Sequence, residues 1–144
     1  MSRTTSVTVV AEDDAEEGRL HVLHDMQLPD YVTVFRVSGP LLFGATENLT
    51  EVADRAHTLP PIVILKLRHV TAMDATGLRA LEDVADGLRK SGRALIVCGA
   101  QPQPAALMDS SDFHHHVGVA NICANTKVAL ARAEELHRSR RSVA

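Results

Sequence analysis

The chain has 144 residues, enough for one domain with its own hydrophobic core, and its 45% hydrophobic and 23% charged content is that of a soluble globular protein. A formal net charge of -3, with one Tyr, three Phe and no Trp, excludes a general nucleic-acid binder: there is neither a basic face for phosphates nor an aromatic platform for bases. No apolar run approaches the ~20 residues that span a bilayer, and the N-terminus lacks the regions of a signal peptide, so the residues given are expected to be soluble.

Residues 1–28 read as a lead-in. Thr4 to Val10 is compatible with extended chain, and Glu12-Asp13-Asp14-Ala15-Glu16-Glu17-Gly18 is an acidic run without apolar period, expected to be a solvated linker. Pro29-Asp30 opens the compact part, residues 29–138. Tyr31 to Val37 is rich in β-branched and aromatic residues and predicts a strand. Ser38-Gly39-Pro40 turns the chain into a second short apolar run, Leu41-Leu42-Phe43, and these two runs are expected to supply an antiparallel pair at one side of a sheet. Leu49, Val52, Ala53 and Ala56 recur at helical spacing, predicting a helix over about 46–57 that Leu59-Pro60-Pro61 ends.

Ile62 to Leu67 is continuously apolar apart from Lys66, as expected for a strand covered on both faces. Leu78, Leu81, Val84, Ala85 and Leu88 then form one helical stripe, opposite Arg79, Glu82, Asp83, Asp86 and Lys90, and Ser91-Gly92 stops it. Ala94 to Cys98 predicts a buried strand, and Cys98 and Cys123 are expected to be buried thiols in a reducing compartment. Gln101-Pro102-Gln103-Pro104 opens a short helix from Ala105 to about Ser110. Val117 to Cys123 holds a last short strand or extended piece. Asn125 is placed to cap a final helix carrying Ala129, Leu130, Ala133 and Leu136. Arg138, Arg140 and Arg141 make the chain end basic; residues 139–144 are expected to be a solvated terminus, with contact to anionic lipid as the alternative. Alternating strands and helices define an α/β fold with a largely parallel sheet.

The chemistry concentrates in Met73-Asp74-Ala75-Thr76-Gly77-Leu78, where an apolar strand gives way to a helix. A helix N-terminus collects unpaired backbone N–H groups and the positive end of the macrodipole, so it can hold an anion. Two readings stay open for Asp74, Thr76 and Gly77. In one, Asp74 caps the helix and Gly77 permits close backbone approach. In the other, Thr76 is a phosphorylatable or anion-contacting hydroxyl, and a phosphate there changes what this surface binds. His114-His115-His116 is not expected to bind metal: adjacent residues of a strand or loop point to different sides, and no nearby carboxylate or cysteine pattern completes a zinc spacing. These histidines are expected on an exposed loop. No phosphate-binding loop, dinucleotide fingerprint or nucleophile–base pair is present, so catalysis has no supporting residue set.

Taken in order, a strand, Ser38-Gly39-Pro40-Leu41-Leu42-Phe43-Gly44-Ala45, a helix, an apolar strand, the Met73-to-Leu78 segment, a helix, a strand and Gly99-Ala100-Gln101-Pro102-Gln103-Pro104 resemble a STAS domain. More narrowly, they resemble the cytoplasmic C-terminal STAS domain of sulfate-permease-type (SulP) anion transporters, over about residues 29–138. The Asp-Ala-Thr-Gly segment marks the superfamily, and the other two segments point to the transporter branch. The resemblance implies a mixed, largely parallel sheet of about 4–5 strands packed against about 4–5 helices. It also implies no enzymatic activity, no cofactor, and a regulatory or interaction role at the cytoplasmic face of the cell membrane. The partner it implies is the membrane part of the same transporter, with a homodimer through the transporter and a regulatory protein or nucleotide as further partners. The alternative branch is the free-standing anti-sigma-factor antagonists, phosphorylation-dependent partner switches whose phosphorylated serine corresponds to Thr76 here; Ala75 stands where many of them have a second serine. A third reading is a small nucleotide-binding or hydrolysing domain. Ser110-Ser111-Asp112-Phe113 departs from the family pattern, in which a small residue and a glycine often end the short helix.

Overall fold

The computed structural model of the chain describes residues 6–9, 29–43 and 46–143. Among them, five strands lie in chain order across one sheet: β1 (Ser6–Val9), β2 (Val32–Ser38), β3 (Ile62–His69), β4 (Ala94–Cys98) and β5 (Ile122–Cys123). β1 runs antiparallel to β2, and every later pair is parallel. The helices are α1 (Glu47–Asp54), α2 (Ala75–Lys90), α3 (Pro102–Ser110), α4 (Phe113–Val117) and α5 (Thr126–Val143). The α/β fold with a mixed, largely parallel sheet is therefore present. The acidic run at 12–18 lies outside the described residues.

Strand side chains alternate between faces, and β3 divides its apolar run accordingly. Val63, Leu65 and Leu67 enter the larger core with Leu49 and Val52 of α1, Leu81, Val84 and Leu88 of α2, and Phe113 of α4. Ile62 and Ile64 enter a smaller core with Ala129 and Ala133 of α5. Parallel strands laid side by side in one direction, joined by crossovers of one hand, put every connecting helix on the same face. Hence α1 to α4 share the larger core, and the opposite face is left to α5.

One local expectation is corrected, and two segments take a more specific form. Leu41 to Phe43 does not pair antiparallel with β2: Leu41 instead makes a single parallel bridge to Met73, and the antiparallel partner of β2 comes from the lead-in, as β1. The five-residue α4 and a 3-10 turn (Val119–Asn121) precede β5, which is only two residues long. The basic end is helical: α5 continues to Val143, with Arg138 and Arg140 exposed, and brings Arg140 across the bottom of the sheet. Arg140 donates to the backbone carbonyls of Pro61 and Gly92, just ahead of β3 and β4. Arg93 gathers the carbonyls of Leu59, Ser91 and His57 at 2.6, 2.8 and 2.9 Å on the same end. One turn before Arg140, His137 stacks on Tyr31 with ring centroids 3.8 Å apart and planes 2° from parallel. The N-terminal ends of the strands are thereby closed, while the loops at their C-terminal ends hold the candidate site.

Candidate functional site

Asp74 is the first residue past the turn that follows β3, and its extended backbone makes it the N-cap of α2. Its Oδ1 accepts the Gly77 N–H at 2.9 Å, and its Oδ2 accepts the Phe43 N–H at 3.0 Å. One carboxylate thus ties the start of α2 to a loop 31 residues earlier in the chain. The backbone repeats the tie: Leu41 N–H donates to the Ala72 carbonyl at 2.8 Å, and Asp74 N–H donates to the Leu41 carbonyl at 3.3 Å. Gly77 makes this approach possible, since a Cβ at that position would lie 1.9 Å from the Leu41 carbonyl oxygen.

From the other side, Gln103 of α3 brackets Met73, accepting its N–H at 2.8 Å and donating to its carbonyl at 2.9 Å. Gln101 donates to the Arg68 carbonyl at 2.6 Å. The Gln-Pro-Gln-Pro segment therefore fixes the turn that presents Asp74. Those two glutamines and Phe43 are site residues that inspection of the Met73-to-Leu78 segment alone did not assign. The only signal for them was the amide side chains at alternate positions of a proline-punctuated helix start.

The Gly77 N–H, then the Phe43 N–H, hold the Asp74 carboxyl below its ordinary value, against a smaller opposing effect of burial. An anion placed at this helix end has to compete with a carboxylate already bound by the same donors. Thr76, one position into α2, is exposed, as is Ala75. Phe43 is 83% exposed beside them, although the chain has only three phenylalanines. The arrangement is a rigidly braced surface carrying a hydroxyl and an aromatic ring.

Asp74→Ala is expected to lower the unfolding free energy by about 2 kcal/mol at neutral pH, from the lost cap and the lost bond to Phe43. Because the folded-state pKa is depressed, this stabilisation is complete above the unfolded value of about 3.9 and disappears as pH falls through the lower folded value. Urea unfolding of both proteins from neutral to acid pH checks it. A wild-type advantage that persists unchanged at about pH 2 contradicts a charged cap.

The remaining candidates fall elsewhere. Cys98 and Cys123 are register partners on β4 and β5, and both are free thiols. Burial pushes the Cys98 thiol up to about 11, which keeps it neutral and unreactive at physiological pH. The three histidines lie on α4 rather than on a loop. His114 and His115 are exposed, but His116 is turned toward α2, with Nδ1 3.0 Å from Asp86 Oδ1. The hydrogen bond with Asp86, outweighing burial and aided by the charges of Asp86, Glu82 and Asp112, raises the His116 pKa. Among the described residues, no helix is long and apolar enough to cross a membrane.

Comparison with known proteins agrees with this geometry. The SulP transporter STAS domain from Vibrio cholerae superposes with a TM-score of 0.68 at 27% identity, covering 87% of this chain and 98% of that one. An anti-sigma factor antagonist from Mycobacterium paratuberculosis shares the fold, with a TM-score of 0.64 at 16% identity over 92% of this chain and 96% of that one. The putative sulfate transporter YvdB of Bacillus subtilis (strain 168) is 25% identical over 88 residues, 60% of this chain; the match spans 17% of that relative's length. A family model for the STAS domain matches residues 24–129, most of the chain, and the protein belongs to the STAS domain family.

Proposed function

We propose that this chain is the non-catalytic regulatory and interaction domain of a SulP-type sulfate or related anion transporter, held at the cytoplasmic face of the membrane by a membrane part outside the sequence given. The observation that carries this reading is where similarity exceeds a shared fold. Identity is 27% across 98% of a transporter STAS domain, against 16% for the antagonist with the same architecture. The site geometry supports recognition rather than chemistry: the Asp74 carboxylate occupies the α2 N-terminus through the Gly77 N–H, and what faces outward is Phe43, Ala75 and Thr76. In this reading, Thr76 is the regulatory position. A phosphate there adds about -1.5 to -2 charges next to the Asp74 carboxylate, so it repels and reorients partners instead of seating in the helix end.

The first test is the reading frame upstream of Met1. A frame continuing into about ten apolar segments of ~20 residues supports the transporter. A true start at Met1 beside a kinase-like gene sinks that reading in favour of the partner switch. The second test compares Thr76→Glu and Thr76→Ala for association with the membrane part so encoded. Thr76→Glu is expected to weaken association at least about tenfold, while unfolding free energy moves by no more than about 0.5 kcal/mol, the usual range for an exposed position. If both variants leave affinity unchanged and only lower thermal stability, Thr76 serves the helix end alone.

A further inference from the structure

Four titratable side chains meet where α2 faces the start of α4. Glu82 and Asp86 lie one turn apart on α2, and Asp112 and His116 lie one turn apart at the start of α4. His116 makes two different kinds of contact there. Its Nδ1, 3.0 Å from Asp86 Oδ1, is within hydrogen-bond distance, whereas its Nε2 lies 3.9 Å from Glu82 Oε2 and 3.9 Å from Asp112 Oδ1. The latter separations are too long for hydrogen bonds. With Nδ1 held by Asp86, Nε2 is aimed between two carboxylate oxygens, the arrangement in which an outer carboxylate orients a metal-ligating histidine.

The spacing suits an ion at the common point. Glu82 Oε2, Asp112 Oδ1 and His116 Nε2 all lie within 4.8 Å of one another. Ligands about 2.0–2.2 Å from a tetrahedral ion are about 3.3 Å apart, so small inward shifts close the shell. Glu82 and His116 are largely shielded, with side chains 14% and 28% exposed. Asp112, 70% exposed, makes no side-chain cap bond to α4 and has room to swing. Charge argues the same way. Glu82, Asp86 and Asp112 bring three negative charges and Arg89, 3.2 Å from Asp86, brings one positive, which leaves two negative charges around the imidazole.

We propose that Glu82, Asp112 and His116 form a binding site for a divalent transition-metal ion, with Asp86 as the positioning residue that orients the imidazole. One nitrogen and two carboxylate oxygens fit zinc and disfavour magnesium or calcium, which take oxygen ligands. Three protein ligands leave a fourth position for water or for a group from a partner. The ion would clamp α4 to α2 at Ser110-Ser111-Asp112-Phe113, the segment that departs from the family pattern.

The test is calorimetric titration of the intact 144-residue chain, freed of metal, with Zn2+. It is done in a His114→Ala/His115→Ala background so that the exposed imidazoles do not contribute. One ion per chain is expected, with no binding of Mg2+. Asp112→Asn and Glu82→Gln should each weaken Zn2+ at least about tenfold, and His116→Ala should abolish binding. Asp112→Asn is decisive, since that exposed side chain supports no other part of the fold and the variant should stay folded. Absence of Zn2+ binding, or binding that Asp112→Asn and Glu82→Gln leave unchanged, overturns the site. The cluster is then an imidazolium held among carboxylates.

Discussion

Gly77→Ala is expected to lower the thermal midpoint by about 10 °C, although a helix-interior glycine ordinarily costs about 1 kcal/mol relative to alanine. The added Cβ would sit 1.9 Å from the Leu41 carbonyl oxygen and 2.8 Å from its carbon. Both are backbone atoms, so no side-chain rotation relieves the overlap. Moving Leu41 away strains its bonds to Ala72 and Asp74, and moving α2 strains the bond from Gly77 to the Asp74 carboxylate. Overpacking of about 1–3 kcal/mol, together with a cap worth about 1 kcal/mol, predicts a loss of about 2–4 kcal/mol. The same helix supplies the control. At Gly87 a new Cβ would meet the Ala53 Cβ at 3.6 Å, an ordinary contact, so Gly87→Ala should raise the midpoint by a few degrees. Thermal melts of the two single variants decide the matter, and a midpoint for Gly77→Ala at or above wild type would falsify the close approach.

Phe113→Ala should cost about 3–5 kcal/mol, the range for emptying a large aromatic site in a core. Phe113 is fully buried in the larger core with Met108 and Val117, at the point where α4 is pinned beneath α2. The loss should appear in urea unfolding as a lower midpoint at an unchanged denaturant slope, the signature of lost packing without a change in the unfolded chain. Phe43→Ala, at a position 83% exposed, should stay within about 0.5 kcal/mol of wild type and affect only what the surface binds. Comparable losses for the two phenylalanines would mean that Phe43 is held in a core of its own. The pair separates the aromatic that builds the fold from the aromatic that the fold displays.

How much of this was legible beforehand depends on the range of the interaction involved. β3 and α2 follow directly from a continuous apolar run and a stripe at helical spacing, because both periods come from backbone geometry within a few residues. Asp74 as a cap was legible for the same reason: its partner, the Gly77 N–H, is three residues away. The other half of that carboxylate was not, since its second donor belongs to Phe43, and the sheet decides that the two loops meet. The short apolar run at Leu41 was misassigned because three apolar residues do not specify a pairing partner, and the lead-in strand β1 took the antiparallel place. The three histidines show both sides of this. His114 and His115 lie ring to ring on the exposed side, with centroids 4.2 Å apart, and only His116 faces inward. Yet the nearest carboxylate, Asp86, lies 30 residues earlier on another helix, beyond the reach of any local spacing rule.

By itself, then, the sequence determined the alternation of strands and helices, the two-sided burial of the central strand, the capped turn at Asp74 and the glycine that follows it. Each of these is set by propensity and periodicity acting over a single turn or a pair of residues. The tertiary structure alone decided that Leu41, Phe43 and Gln103 brace that turn, that Arg140 closes the far end of the sheet, and that His116 meets Glu82 and Asp86. Such contacts depend on the order in which parallel strands are laid down and on the one face to which their crossovers are confined.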